Sequence, residues 1–405
     1  MPRFRTLLLL LAPTLPTPLA AQSPAITLRA GTLLDGRGGR LTDVDLTIEN
    51  GRITAVGPAG AGMPALDFSR ATVMPGLIDT HVHLNWHFDP DGRTHHRSRD
   101  EESEAEAALY EAENGYATLM GGVTTVQSLG SPLDGPFRDA VARGILPGPR
   151  VLTSLGALSG RSGPPATLRQ RVRELEAAGA DAIKIFASAS IRVGGAPTMS
   201  VEQLEAVCGE ATRLGLRTAV HAHGPESARR AVLAGCTSIE HGALLDRATL
   251  ELMAEHGTWY DPNIGLIFAN YLENKPRFLG IGNYTEEGFA AMERAVPRAL
   301  AVFKEALTVP GLGIVFGTDA VAGAHGRNLE ELVYRVEQGG QDPMAAIVSA
   351  TSTSARALGL DGKIGVAAPG FRADLIALDG DPSRDIAALR RVAMVMREGR
   401  VVGSR

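Results

Sequence analysis

Cysteine is almost missing. Cys208 and Cys236 are the only two in 405 residues, too few for a disulfide-built scaffold or a four-cysteine zinc site. Spacing alone does not say whether they pair, because pairing depends on how closely the backbone brings them together. Two separately buried thiols is the plainer expectation. Basic blocks are also missing and the net charge is −5, which argues against the basic stripe that nucleic-acid binding needs. No internal repeat is found, and past the N-terminus no apolar run is long enough to span a bilayer. What is present suits a core-forming chain: 44% hydrophobic and 21% charged residues exclude disorder. The 47 glycines and 24 prolines point to many tight turns.

The N-terminus has the plan of a secretory signal peptide. Arg3 and Arg5 precede the apolar run Leu7 to Leu11, and Leu19-Ala20-Ala21 supplies small residues for cleavage near Ala21. Pro13, Pro16 and Pro18 interrupt any membrane-spanning helix. Residues 1–21 are therefore expected to be removed, leaving a periplasmic or secreted protein with no membrane attachment.

Residues 25–35 and 45–57 alternate apolar and polar positions, with Asn50-Gly51 as a hairpin signal. Residues 373–379 and 392–403 read the same way. The two β-rich flanks, 22–70 and 361–405, are expected to form one small sandwich from both chain ends. Between them, short apolar strands at 72–84, 123–128, 150–155, 182–187, 217–223, 237–241, 258–264 and 313–319 alternate with helical stretches. Eight such units over 71–360 predict a (β/α)8 barrel. Residues 87–99 and 263–284 have weak periodicity and read as loops over the barrel mouth.

Histidines gather at the ends of these predicted strands. His81 and His83, in DTHVH, are two apart, so a strand turns both imidazoles to one face. At a barrel strand's C-terminal end that face is the mouth, where paired neutral imidazoles suit a zinc-like cation. Ordinary hydrogen-bonded histidines are the alternative. Lys184 lies in the apolar run DAIKIF, where burial would drive its amine neutral unless it snorkels to the strand end. His221 and His223 (HAHG), His241 (SIEHG) and Asp319 (GTDA) complete the set. Any one of these could serve packing alone; six candidate ligands at five strand ends, counting one histidine of the HAHG pair, are hard to explain that way.

PGLIDTHVH, the strand-borne lysine, HAHG, SIEHG and GTDA together resemble the amidohydrolase superfamily of metal-dependent hydrolases. NGRITAVG and IGVAAPGFRADLIALDGDP extend the likeness over nearly the whole mature chain. It is most similar to the branch of Xaa-Pro or Xaa-Arg dipeptidases and ochratoxin-type amidases, and more distantly to imidazolonepropionase. The resemblance implies two divalent cations, with zinc the expected ion. His81, His83 and Asp319 would hold the buried ion and His221 and His241 the exposed one, bridged by Lys184 as its CO2-derived carbamate. It further implies amide hydrolysis of a dipeptide or N-acyl amino acid, with Asp319 as general base and then acid, and a homo-oligomer.

Other residues carry less. His223 is a candidate ligand, substrate contact or packing residue. Tyr260, Asn263 and His325 follow predicted strands and are candidate substrate donors, with turn or packing roles as alternatives. His87, His95, His96 and Arg97 read as a solvated polar loop. His256 suits a helix C-terminus, and the acidic run at 100–107 a helix N-terminus. Relatives often carry a Gly-His-rich loop after the third strand; here LGALSGRSGPPATL has no histidine, leaving Arg161 or Ser162 as substitutes. A lactone or phosphoester hydrolase with the same site is an alternative. A deaminase is a weaker one, since Gly224 stands where such enzymes place a glutamate and Lys184 is present. A non-catalytic barrel would be expected to have eroded ligands, and all six positions are intact.

Overall fold

The run from Leu66 to Val82 is divided between two sheets in the computed structural model, which describes residues 25–95 and 101–404. The expected signal peptide and His96 and Arg97 lie outside the described residues. β1 (Ile26–Leu34), β2 (Arg40–Glu49), β3 (Arg52–Pro58) and β4 (Leu66–Pro75) share one sheet, and β5 (Leu77–Val82) opens another. The single strand expected at 72–84 breaks for local reasons. Pro75 has no amide hydrogen to give a ladder. A Cβ at position 76 would come within 2.2 Å of the Thr124 side chain, so glycine lets the backbone pass.

β5, β6 (Val123–Ser128) and β7 (Arg150–Thr153) form a three-stranded parallel sheet. β8 (Ala157–Ser159), β9 (Ala182–Phe186), β10 (Arg217–Ala222), β11 (Ser238–His241) and β12 (Trp259–Asp261) form a five-stranded parallel one. Helices such as Glu104–Met120, Pro165–Ala177, Val201–Arg213 and Arg247–His256 connect the strands, and their apolar faces pack on them. The eighth strand expected at 313–319 is not formed. That segment makes isolated hydrogen bonds to both neighbours instead of a ladder. On one side Tyr260 N donates to Gly313 O (2.8 Å) and Val315 N to Tyr260 O (2.9 Å); on the other, Thr80 N donates to Phe316 O (2.8 Å) and Asp319 N to His81 O (2.7 Å). Asp319 has a φ of 54°, a left-handed turn that a regular ladder does not accommodate. The fold is thus α/β with parallel sheets of three and five strands, and its ladders do not close into an eight-stranded barrel.

β13 (Leu375–Leu378), β14 (Val392–Arg397) and β15 (Arg400–Ser404) join through β4 to give the seven-stranded order β15-β14-β13-β4-β1-β2-β3. The two chain ends therefore meet in one mixed sheet, with β1 and β4 parallel and its other pairs antiparallel. Leu28, Leu46 and Ile53 from one end share an apolar cluster with Leu375, Met394 and Met396 from the other. A second sheet, which a sandwich needs, is not among the described strand pairings.

Two further expectations change. Within 263–284, residues Leu266–Glu273 and Lys275–Phe278 are helical rather than loop. The buried carboxylate of Glu331 accepts the backbone N–H groups of Ile264, Gly265 and Leu266 at 3.0, 2.8 and 2.9 Å, satisfying the first helix's start from a distant part of the chain. Cys208 and Cys236 are joined in a disulfide rather than buried as separate thiols. The helix Val201–Arg213 and the turn entering β11 bring them together in one apolar cluster.

Candidate metal centre and its cavity

Asp79 ties the DTHVH run to the GTDA run. Thr318 Oγ1 and Asn328 Nδ2 each donate to its Oδ2 at 2.7 Å, and its Oδ1 accepts the backbone N–H of His81 and of Thr318, both at 3.1 Å. Burial pushes the Asp79 carboxyl up to about 7 against these hydrogen bonds. The clamp sets His81 and His83 beside Asp319.

His81 is fully buried. Its Nδ1 lies 2.8 Å from Glu240 Oε2. Its Nε2 lies 3.0 Å from Lys184 Nζ and 3.4 Å from Asp319 Oδ1. His83 Nε2 is 3.0 Å from the same Asp319 oxygen, and His241 Nδ1 is 4.0 Å from Asp319 Oδ2. The His221 ring centroid is 4.6 Å from that of His241 and 4.6 Å from that of His223. All six expected ligands, with His223, thus share one locus. His241 (φ 68°) and Asp319 (φ 54°) both hold left-handed backbone, which costs energy for residues other than glycine and collects at functional sites.

The electrostatics make this a donor set. Burial drives the imidazoles of His81, His221 and His241 well below their usual range, and that of His223 to about 3. Burial also lowers the Lys184 amine, opposed by the charges of Glu240, Asp319 and Asp261. Burial raises the Asp319 carboxyl, but His81 and His83 outweigh it and hold it at about 2. Neutral imidazoles beside an ionised carboxylate suit a zinc-like cation. Glu240 strengthens the fit, because engaging Nδ1 of His81 turns the other ring nitrogen toward the cluster.

A cavity of about 190 Å3 opens above these groups. Its walls are mostly apolar and aromatic, including Trp86, Phe186, Phe268, Tyr271, Tyr284 and Met292, and Arg192 is its added cation. The Arg192 guanidinium lies 3.9 Å from the Tyr284 ring centroid, and its Nε donates to Asn283 Oδ1 at 2.8 Å. Tyr284 OH donates to Tyr271 OH at 3.0 Å. Sequence reading missed Arg192, Tyr271 and Tyr284, since they lie in stretches without a motif and meet only through the tertiary fold.

The remaining candidates are distributed as follows. Asn263 lines the cavity; its Nδ2 reaches Asp261 Oδ1 at 3.3 Å and its buried Oδ1 has no hydrogen-bond partner. Tyr260 does not line it. Its side chain is packed in the core with its hydroxyl donating to the His241 carbonyl at 3.4 Å, so it supports the backbone at His241. His325 also lies outside the lining, with Nε2 3.2 Å from the Trp86 carbonyl. Arg161 and Ser162 form a short turn away from the cavity. His256 ends its helix, and Ser103 with Glu106 forms a capping box at the start of Glu104–Met120.

Residues 72–402 match the model of the Amidohydrolase family. Ochratoxinase of Aspergillus niger is 28% identical, over 88% of this chain and 82% of its own length. A solved Xaa-Pro dipeptidase with methionine bound in its active site superposes with a TM-score of 0.84 at 28% identity, covering 94% of this chain and all (100%) of that one. A prolidase complexed with N-methylphosphonate-L-proline gives a TM-score of 0.82 at 27% identity, with the same coverage of 94% and 100%.

Proposed function

Since the chain belongs to the amidohydrolase family, a family of hydrolytic enzymes, we propose that it cleaves the amide bond of a dipeptide or an N-acyl amino acid. The observation that carries this reading is the placement of one apolar cavity, with a guanidinium in its wall, directly over the His81, His83, Lys184 and Asp319 cluster. The relatives' names support it: one acts on ochratoxin, and two are named for cleaving next to proline.

In this reading His81, His83 and Asp319 would hold one divalent cation and His221 and His241 a second, zinc being the expected ion. Lys184 would serve as a further ligand in its carbamate form, its buried neutral amine adding to CO2 with loss of a proton. Such ions polarise a carbonyl and bring the pKa of water toward neutrality. The chain's own groups do the rest. Asp319, ionised at neutral pH, takes the proton from the attacking water and passes it to the leaving nitrogen. Arg192, backed by Tyr284, meets the substrate carboxylate. The aromatic walls take up the apolar side chain and exclude water. The Cys208–Cys236 disulfide supports export, since such bonds persist in oxidising compartments.

The test is incubation of zinc-loaded protein, in bicarbonate, with pooled dipeptides, N-acyl amino acids, lactones and aminopurines, the products being read by mass spectrometry. Addition of water with release of an amino acid is the expected result. Opening of a lactone alone, or release of ammonia from a purine, overturns the amide reading.

A further inference from the structure

We propose that His87, His95 and Glu102 form an additional divalent-cation site, of zinc-like preference, beside the hydrolytic centre and separate from it. The loop that bears these residues reads in sequence as solvated, but His87 and Glu102 expose only 4% and 10% of their side chains. A hairpin explains the pairing of the histidines. Phe88 and Thr94 bridge, Asp89 N donates to Arg93 O, and His95 N donates to His87 O. Residues eight apart in sequence are thereby placed opposite each other, with their rings stacked at 5.0 Å and Tyr110 stacked on the outer face of His87 at 3.9 Å. Glu102 arrives from just before the helix Glu104–Met120 and faces both rings. Its Oε1 is 3.0 Å from His87 Nε2 and its Oε2 is 3.1 Å from His95 Nε2.

The chemistry of the His87 contact calls for a cation. His87 Nδ1 lies 2.9 Å from the Asn85 carbonyl, an acceptor, so a ring proton belongs on Nδ1, and the neutral form of that ring turns a lone pair at Nε2 toward Glu102. That lone pair points at a carboxylate oxygen, which is also an acceptor. Both atoms are buried, and they face each other at 3.0 Å. Two buried acceptors face to face are repulsive unless a positive charge lies between them. Two imidazoles and a carboxylate are the N/O donor set of a zinc-like ion. Donor atoms around a tetrahedral zinc sit roughly 3.3 Å apart, close to the spacing found here and to that of His81, His83 and Asp319. The carbonyl behind His87 is the outer support such ligands commonly have.

The site has a job in this fold. Trp86 lies between Asn85, which supports His87, and His87 itself, and its side chain lines both the main cavity and this recess. Its carbonyl accepts from Asn114 Nδ2 at 3.0 Å. An ion on His87 would fix the Asn85–His87 segment and so the Trp86 wall of the cavity.

Metal content decides the matter independently of turnover. The full chain would be dialysed against excess zinc, then against buffer, and its zinc counted by mass spectrometry. Wild type should retain one equivalent more than Glu102→Gln and one more than His95→Gln. Cobalt should give wild type a visible band that both variants lose in part. His95 is at the recess rim, so its variant serves if Glu102→Gln does not fold. Equal zinc in wild type and a folded variant overturns the proposal and leaves a proton-held histidine–glutamate clasp. The hydrolytic reading is unaffected by that result, and loss of hydrolysis with the extra equivalent retained would sink that reading alone.

Discussion

At the scale of single residues, the clustering of the candidate ligands was legible because motif residues sit two apart on strands or at strand ends, where geometry leaves them one direction to face. Asp319 is the sharpest of these, since its carboxylate touches His81 and His83 and stays ionised at neutral pH. Asp319→Asn keeps an oxygen for a ligand but cannot take a proton. Its kcat should fall by about 10²–10⁴ while zinc content stays near that of wild type; unchanged turnover would remove Asp319 from proton transfer. Arg192 could not be read in advance. It stands in the short helical turn Ile191–Val193, and only packing sets it against Tyr284 in the cavity wall. Arg192→Met should raise KM for carboxylate-bearing substrates by about 10–100-fold, with a smaller change for their C-terminal amides. Equal effects on both would mean that Arg192 supports the wall and does not meet the carboxylate.

At the scale of elements, alternation of strand and helix was legible over most of the chain, and the helix within 263–284 was not, because its start is satisfied from a distance. The helix Leu266–Glu273 starts on Glu331, a carboxylate 65 residues away from Leu266, and no local pattern reports such a cap. Glu331 also pairs with Arg335, which is fully buried and donates to the carbonyls of Val315 and Pro262 at 2.7 and 2.5 Å. Glu331→Ala would free three N–H groups and strand a buried guanidinium. A loss of about 3–5 kcal/mol in urea unfolding is expected, and a loss within error would show the cap to be dispensable. Glu111 behaves in the opposite way. It is buried on its helix beside Asp134, and burial, then the charge of Asp134, push its carboxyl up to about 10. Unfolded, a glutamate ionises above about pH 4.3, so between these values the folded state binds the extra proton. Stability from this group is full at acid pH and is lost progressively as pH rises between these two values. Glu111→Gln should therefore raise Tm at pH 8 and flatten the fall of Tm with pH; a lower Tm at pH 8 would contradict this.

At the scale of the whole molecule, the candidate centre draws on both parallel sheets and on the 313–320 segment that hydrogen-bonds to each of them. Forming the site and completing the fold are thus one event. Cation binding should raise Tm by linkage, and chelation should lower it without first unfolding a separate part. The disulfide acts on the same unit. Cys208 and Cys236 are 28 residues apart and enclose β10, which carries His221, and the helix after it. Closing a loop of that length stabilises by roughly 3 kcal/mol through the unfolded chain. The same protein should therefore differ by compartment. Produced with its N-terminal segment in a secreting host, it should begin at Gln22, show no free thiols and keep its full Tm. Produced without that segment in a reducing cytoplasm, it should show two free thiols and a lower Tm, and Cys208→Ala/Cys236→Ala should reproduce that loss. Retention of residues 1–21 on protein recovered outside the cytoplasm would overturn the signal-peptide reading, and equal Tm in the oxidised and reduced forms would show that the bond does not contribute to stability.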